Sequence, residues 1–124
     1  MSYQEIENPK TYRDEHLQVD FERGRVYLDS LEMVLTRKEY ELLALLVDNT
    51  GEIVPRDVLL MQIWGYSREI RTRTLDVHIR RLRKKLGDHG DHYIETIFGV
   101  GYRFQRYREP RAFPDFAPVL ALTA

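Results

Sequence analysis

Residues 71–86, Arg-Thr-Arg-Thr-Leu-Asp-Val-His-Ile-Arg-Arg-Leu-Arg-Lys-Lys-Leu, constrain this chain more than any other stretch. Leu75, Ile79, Leu82 and Leu86 fall at i, i+4, i+7 and i+11, which is one apolar stripe on a helix. At about 100° per residue, Arg73, Val77, Arg80 and Lys84 fall on the opposite side, with Thr74 and Arg81 on its flank. One face needs a core and the other needs an anion. No Gly or Pro interrupts the pattern, and Gly87 stands where a left-handed cap ends such a helix. An amphipathic basic helix also suits a membrane surface or a partner's groove, so its surroundings must decide.

The charge distribution narrows the choice. The formal net charge is only −1, but residues 1–67 carry 7 Lys/Arg against 13 Asp/Glu. Residues 68–85 carry 8 against 2, and residues 86–124 carry 4 against 5. A near-neutral protein has gathered its positive charge into one short segment, which points to nucleic acid where global charge does not. With 124 residues, 43% of them hydrophobic, the chain suits one domain with a core of its own. The absence of Cys rules out disulfides and thiolate metal sites. The N-terminus has no apolar signal core, and the longest apolar run, Leu42 to Val47, falls far short of the ~20 residues that span a bilayer. A cytoplasmic protein without membrane attachment is expected.

Residues 1–15 are polar, contain Pro9 and show no periodicity, as in a linker or a frayed terminus. Leu17, Val19 and Phe21 alternate, as do Val26 and Leu28, with turn signals at Arg23-Gly24 and Asp29-Ser30; Met33–Leu35 makes a third strand of a small antiparallel sheet. Thr36-Arg-Lys-Glu39 fits a capping box that opens a helix whose buried stripe is Tyr40, Leu43, Ala44 and Val47, widened by Leu42 and Leu46. Asn49-Thr-Gly51 stops it. After the extended Ile53-Val54, Pro55 starts a second helix, with Leu59/Ile63 and Leu60/Trp64 inward, and Gly65 ends it. Beyond the basic helix, a polar loop over 88–92 leads to a hairpin: Tyr93–Ile97, a Phe98-Gly-Val-Gly101 turn, and Tyr102–Gln105. Strands, two helices, a basic third helix and a hairpin describe a winged helix-turn-helix of the α+β class, with an N-terminal antiparallel β-sheet, three helices and a C-terminal β-hairpin wing. The domain spans 16–105. Residues 106–124, with Pro110, Pro114 and Pro118, form a tail read as disordered or as an extended apolar peptide that docks.

Four stretches carry a family resemblance: Leu35–Leu43 (LTRKEYELL), Ile63-Trp-Gly65, Arg73–Leu86 and Gly99-Val-Gly-Tyr-Arg-Phe104. In this order and spacing the chain resembles the OmpR/PhoB-type effector domain of bacterial response regulators over about residues 16–105. The resemblance implies a four-stranded N-terminal sheet and sequence-specific binding of double-stranded promoter DNA, and so transcription regulation within two-component, phosphorelay signal transduction. The third helix would lie in the major groove and the hairpin wing near the minor groove. A head-to-tail homodimer on direct repeats is implied, as is RNA polymerase contact through Tyr66, Ser67, Arg68, Glu69, Ile70 and Arg71. Proteins of this kind carry a phosphoacceptor receiver domain, through which a sensor kinase acts. Residues 1–15 leave no room for one, so an excised output domain or an unusual standalone one is expected. Phe98 stands where the family often has a basic residue.

Arg80 and Arg81 are the candidates for base readout, since a guanidinium donates two hydrogen bonds to the O6 and N7 edge of guanine. Arg83 and Lys84, nearer the helix end, are assigned to phosphate. Val77 is either a tolerated surface residue or a contact to a thymine methyl. Arg73 and Thr74 match family positions used on the DNA backbone, where helix N–H groups add donors. His78 matches a backbone position too, or is a packed or surface histidine. Asp76 repels DNA and is expected to orient Arg80, its i+4 neighbour, or to face the protein. Thr96 and Tyr102 on the wing are candidate phosphate donors, with Tyr102 equally a hairpin core residue. Trp64 is read as core.

No enzyme is expected. Gly99-Val-Gly101 lacks the third glycine and the strand-then-helix context of a dinucleotide loop, and no nucleophile constellation stands out. His89-Gly-Asp-His92 reads as a polar loop, because a metal needs three or four converging ligands and nothing else in sequence joins these two histidines. No cofactor is expected. The rival function is a winged-helix protein-interaction domain that does not bind DNA.

Overall fold

The alternation at Leu17/Val19 and at Val26 builds one face of a four-stranded antiparallel sheet, β1 (Thr11–Arg13), β2 (Leu17–Asp20), β3 (Arg25–Leu28) and β4 (Leu31–Glu32), in chain order. The structure, a computed structural model, describes residues 10–65 and 72–108. The expected polymerase-contact loop, Tyr66 to Arg71, and the tail from residue 109 onward lie outside the described residues, as do residues 1–9.

Two strands depart from the sequence expectation. Thr11–Arg13, assigned to a linker, pairs with β2 in the register Tyr12↔Val19, and the Tyr12 ring meets Phe104 edge-on at 5.4 Å. Three residues are too few for periodicity to show. The last strand is Leu31–Glu32 and not Met33–Leu35. Asp29 and Ser30 both adopt positive φ, 51° and 73°, making a two-residue turn that folds the chain back at once and pairs Leu28 with Leu31. Met33 adds one more hydrogen bond, to the Val26 carbonyl, and Val34 is left 85% exposed.

Helix α1 (Arg37–Asp48) carries the expected capping box: Thr36 Oγ1 accepts from the Glu39 N–H at 3.2 Å, and Glu39 Oε1 accepts from the Thr36 N–H at 3.0 Å. Its buried residues are Leu42, Leu43, Leu46 and Val47, with Glu39, while Tyr40 and Ala44 sit at the edge. Pro55 ends the short strand β5 (Ile53–Pro55) and caps α2 (Arg56–Trp64), one residue earlier in the helix than expected. Helix α3 (Thr72–Lys85) follows, and Leu75, Ile79, Leu82 and Leu86 are all buried.

The expected polar loop after α3 is instead a 3-10 turn, Gly87–His89, and a one-turn helix α4, Gly90–Tyr93, so the described residues hold four α-helices where three were expected. Gly90 permits this, because a Cβ there would lie 2.2 Å from the Arg83 carbonyl oxygen. Tyr93, expected to begin a strand, closes α4 and stacks on Phe104 at 5.4 Å. The wing is β6 (Ile94–Ile97) and β7 (Gly101–Phe104), with β5 added on the far side of β7.

Arg106 and Tyr107, assigned to the tail, contact the domain. Arg106 Nη2 donates to the Arg13 carbonyl at 2.6 Å, and the Tyr107 N–H donates to Asp14 Oδ2 at 3.2 Å. Asp14 is a hub, since its carboxylate also accepts from the Tyr12 and Tyr93 hydroxyls and from the N–H groups of His16 and Leu17. Burial alone would raise its pKa. The hydrogen bonds from Tyr12, Leu17, His16 and Tyr93 outweigh it and hold the carboxyl below its ordinary range.

Candidate nucleic-acid interface

The buried stripe of α3 fixes which way its charges point. Arg73, Arg80, Arg81 and Lys84 are exposed, and among the described residues none of them forms an ion pair with another. Val77 and Thr74 lie half-buried among them. This strip is continuous over the length of the helix, on the side away from the core.

The other two cations of the helix are paired with the protein. Arg83, expected on phosphate, is 25% exposed and clamps the wing. Its Nε and Nη2 donate to the Ile94 carbonyl at 3.0 and 2.6 Å, and Nη2 also donates to Thr96 Oγ1 at 2.7 Å. Lys85 donates to Glu39 Oε1 at 2.6 Å and to the Val34 carbonyl at 3.0 Å. Glu39 is 2% exposed, so an unpaired carboxylate there would be costly. Burial alone would raise its pKa, and the Lys85 and Thr36 hydrogen bonds bring it below the ordinary value. The basic helix thus divides into a docking pair and a free strip.

Asp76 turns to the protein, but its partner is not Arg80. Arg56 Nη2 from α2 lies 2.9 Å from Asp76 Oδ1, and the Tyr102 hydroxyl donates to the same oxygen at 2.7 Å. The reason is positional. Asp76 and Arg83 are seven residues apart, so they share one flank of α3. The wing lies against that flank and offers a directly paired cross-strand couple, Thr96↔Tyr102, one residue to each. Arg56 and Arg83 also sit near the Tyr102 ring, at 5.9 and 5.8 Å from its centroid. Tyr102 is buried, and burial first and the Asp76 hydrogen bond second raise its pKa, so it remains a neutral donor. Thr96, expected on phosphate, and Tyr102, expected on phosphate or in the hairpin core, therefore position the wing through their hydroxyls. Arg56 carried no local signal in sequence, since its partners are 20 and 46 residues away.

His78 stacks edge-on against Trp64 at 4.9 Å, and its Nδ1 lies 2.8 Å from the Thr74 carbonyl. A carbonyl only accepts, so Nδ1 carries the proton, and in the neutral ring Nε2 is an acceptor. His78 can donate to a phosphate only when doubly protonated. At the wing tip Phe98 is 90% exposed, and Gly99, at φ 78°, supplies the positive φ of the turn. Gly101 serves differently, allowing close approach to β5.

Arg83→Ala removes three charge-assisted hydrogen bonds and leaves the Ile94 carbonyl without them. We expect a loss of about 1.5–3 kcal/mol in urea unfolding. An unchanged midpoint would show that the clamp contributes nothing to stability.

No helix among the described residues is long and apolar enough to cross a membrane. A family model described as "Transcriptional regulatory protein, C terminal" matches residues 30–104. The transcriptional regulatory protein SrrA of Staphylococcus aureus is 41% identical over 93 residues, which cover 73% of this chain and 39% of SrrA. The chain therefore spans well under half the length of this curated relative. The response regulator DrrB of Thermotoga maritima, described as an OmpR/PhoB homolog, superposes with a TM-score of 0.73 at 35% identity, over 82% of this chain and 47% of that one. The Klebsiella pneumoniae RstA DNA-binding domain, solved in complex with the RstA box, gives a TM-score of 0.70 at 33% identity, over 77% of this chain and 97% of that one. The family is one of transcription regulators and not of enzymes. With the winged helix-turn-helix architecture, the inward clamp of α3 and these matches in hand, the chain belongs to the OmpR/PhoB-type family of transcriptional regulatory protein C-terminal domains.

Proposed function

We propose that this domain binds double-stranded promoter DNA sequence-specifically, as the output domain of a two-component response regulator. The free cationic strip of α3 supports this most directly. Arg73, Arg80, Arg81 and Lys84 stay exposed while the same helix commits Arg83 and Lys85 to the protein. In this reading α3 enters the major groove, which admits a helix, and Arg80 and Arg81 read base edges. Arg73 and Lys84 contact phosphate. The wing, held at a fixed angle by Arg83, Thr96, Tyr102 and Asp76, brings Phe98 beside the minor groove. Phe98 makes this contact apolar, against sugar edges and without a charge on phosphate. Head-to-tail pairing on direct repeats, RNA polymerase contact through Tyr66–Arg71, cytoplasmic location and control by a sensor kinase through a receiver domain extend the same reading.

Fluorescence anisotropy with a selected binding site tests it. The two cations assigned to phosphate, Arg73 and Lys84, predict that affinity falls roughly 12-fold between 50 and 200 mM salt. A flat salt dependence would instead mark a winged-helix protein-interaction domain that does not use DNA.

A further inference from the structure

The fold brings together three metal-ligating side chains that the sequence keeps far apart. His16 lies in the turn between β1 and β2, Asp29 in the turn between β3 and β4, and His89 in the 3-10 turn after α3. One ligand atom from each lies within 4.8 Å of the others. His16 Nδ1 and Asp29 Oδ1 are 2.5 Å apart, and the His16 and His89 rings stack at 4.2 Å and 25°. Tyr107 stands edge-on to both rings, at 4.6 and 4.9 Å, and walls one side. Asp29 is 57% exposed and leaves the other side open to water. In sequence His89 looks paired with His92. In the fold its neighbours are His16 and Asp29, and His92 is not among the converging ligands.

We propose that His16, Asp29 and His89 form a binding site for a divalent transition-metal ion of the zinc type. Two imidazoles and one carboxylate match the donor set that such ions take, with water completing the coordination. Bonds of about 2.0–2.2 Å require ligand atoms roughly 3.4 Å apart. The His16–Asp29 pair opens by less than about 1 Å to reach this, and His89 closes by a ring rotation. None of the three is fully buried, so side-chain torsions suffice. Calcium and magnesium are disfavoured, because two of the three ligands are nitrogens. The ion would tie two turns of the N-terminal sheet to the segment between α3 and the wing, at the end of α3 away from Arg73. It would bind the folded chain and not the unfolded one, and so raise thermal stability.

The test uses the tag-free, chelator-stripped full chain titrated with ZnCl2 or CoCl2. One equivalent is expected to bind by calorimetry, with a rise in Tm in zinc. Cobalt should broaden or shift the side-chain NMR signals of His16 and His89 well before those of His92. Asp29→Asn should weaken binding at least about tenfold and His89→Ala should abolish it, while His92→Ala should leave it intact. Circular dichroism of each variant establishes that it is folded. The site is refuted if metal does not saturate at one equivalent, or if Asp29→Asn and His89→Ala bind as the parent does. It is equally refuted if His92→Ala loses as much as His89→Ala. DNA affinity is read separately, so failure here leaves the DNA-binding reading untouched.

Discussion

Gly101→Ala should destabilise the domain by about 3 kcal/mol. A Cβ at Gly101 would stand 2.0 Å from the Val54 carbonyl oxygen and 2.9 Å from Pro55 Cα. Both are backbone atoms, so no rotamer change relieves the clash. Nor can β7 slide away, because it is the central strand, paired Val54↔Tyr102 and Pro55↔Gly101 on one side and Ile97↔Gly101 on the other. Moving it would also pull the Tyr102 hydroxyl from Asp76. Gly99→Ala is the control. Nothing lies within 4 Å of its Cβ, and only the positive φ of 78° is strained, so about 1 kcal/mol is expected. The two are compared by urea denaturation. If Gly101→Ala costs no more than Gly99→Ala, β5 and β7 are not held at this spacing.

These glycines also show where sequence reading stops. A glycine in a hairpin signals that backbone freedom or space is needed, but not which. Gly99 supplies positive φ and Gly101 supplies proximity, and only the pairing with β5 separates them. The same limit applies along α3. Apolar periodicity identified Leu75, Ile79, Leu82 and Leu86 as the buried stripe, because burying apolar area is a property of the helix itself. It could not tell Arg83 from Arg80, since a cation's partner depends on what lies opposite. The Thr36–Glu39 box was legible because its parts are three residues apart. The Lys85 contact to Glu39, 46 residues away, left no local trace. Of the two expectations for Asp76, orienting Arg80 or facing the protein, the second holds, and its partners Arg56 and Tyr102 left no local trace for the same reason. The short strands Thr11–Arg13 and Leu31–Glu32 failed on length, having too few residues for alternation to register.

The division of α3 into docking and free cations leads to the second large effect. Arg81→Ala should lose about 1–3 kcal/mol of discrimination at a single base pair, roughly 5- to 150-fold, while affinity for unrelated DNA changes little. The guanidinium is exposed on the strip and has no ion pair among the described residues, so removing it leaves the fold intact. A bidentate contact to guanine is lost only where guanine is present, so the penalty should fall on one position of the site. Arg83→Ala gives the opposite pattern. It loosens the wing from α3, so affinity drops on all sequences alike, together with stability. Lys84→Ala gives a third: uniform weakening without loss of stability, and a salt slope shallower by about one. Binding of each variant is measured across a panel of single-base substitutions at two salt concentrations. If Arg81→Ala weakens every member of the panel equally and flattens the salt slope, Arg81 is a phosphate contact. Base readout would then rest on Arg80 and on the half-buried Val77 beside it, whose isopropyl group can meet a thymine methyl but cannot select guanine.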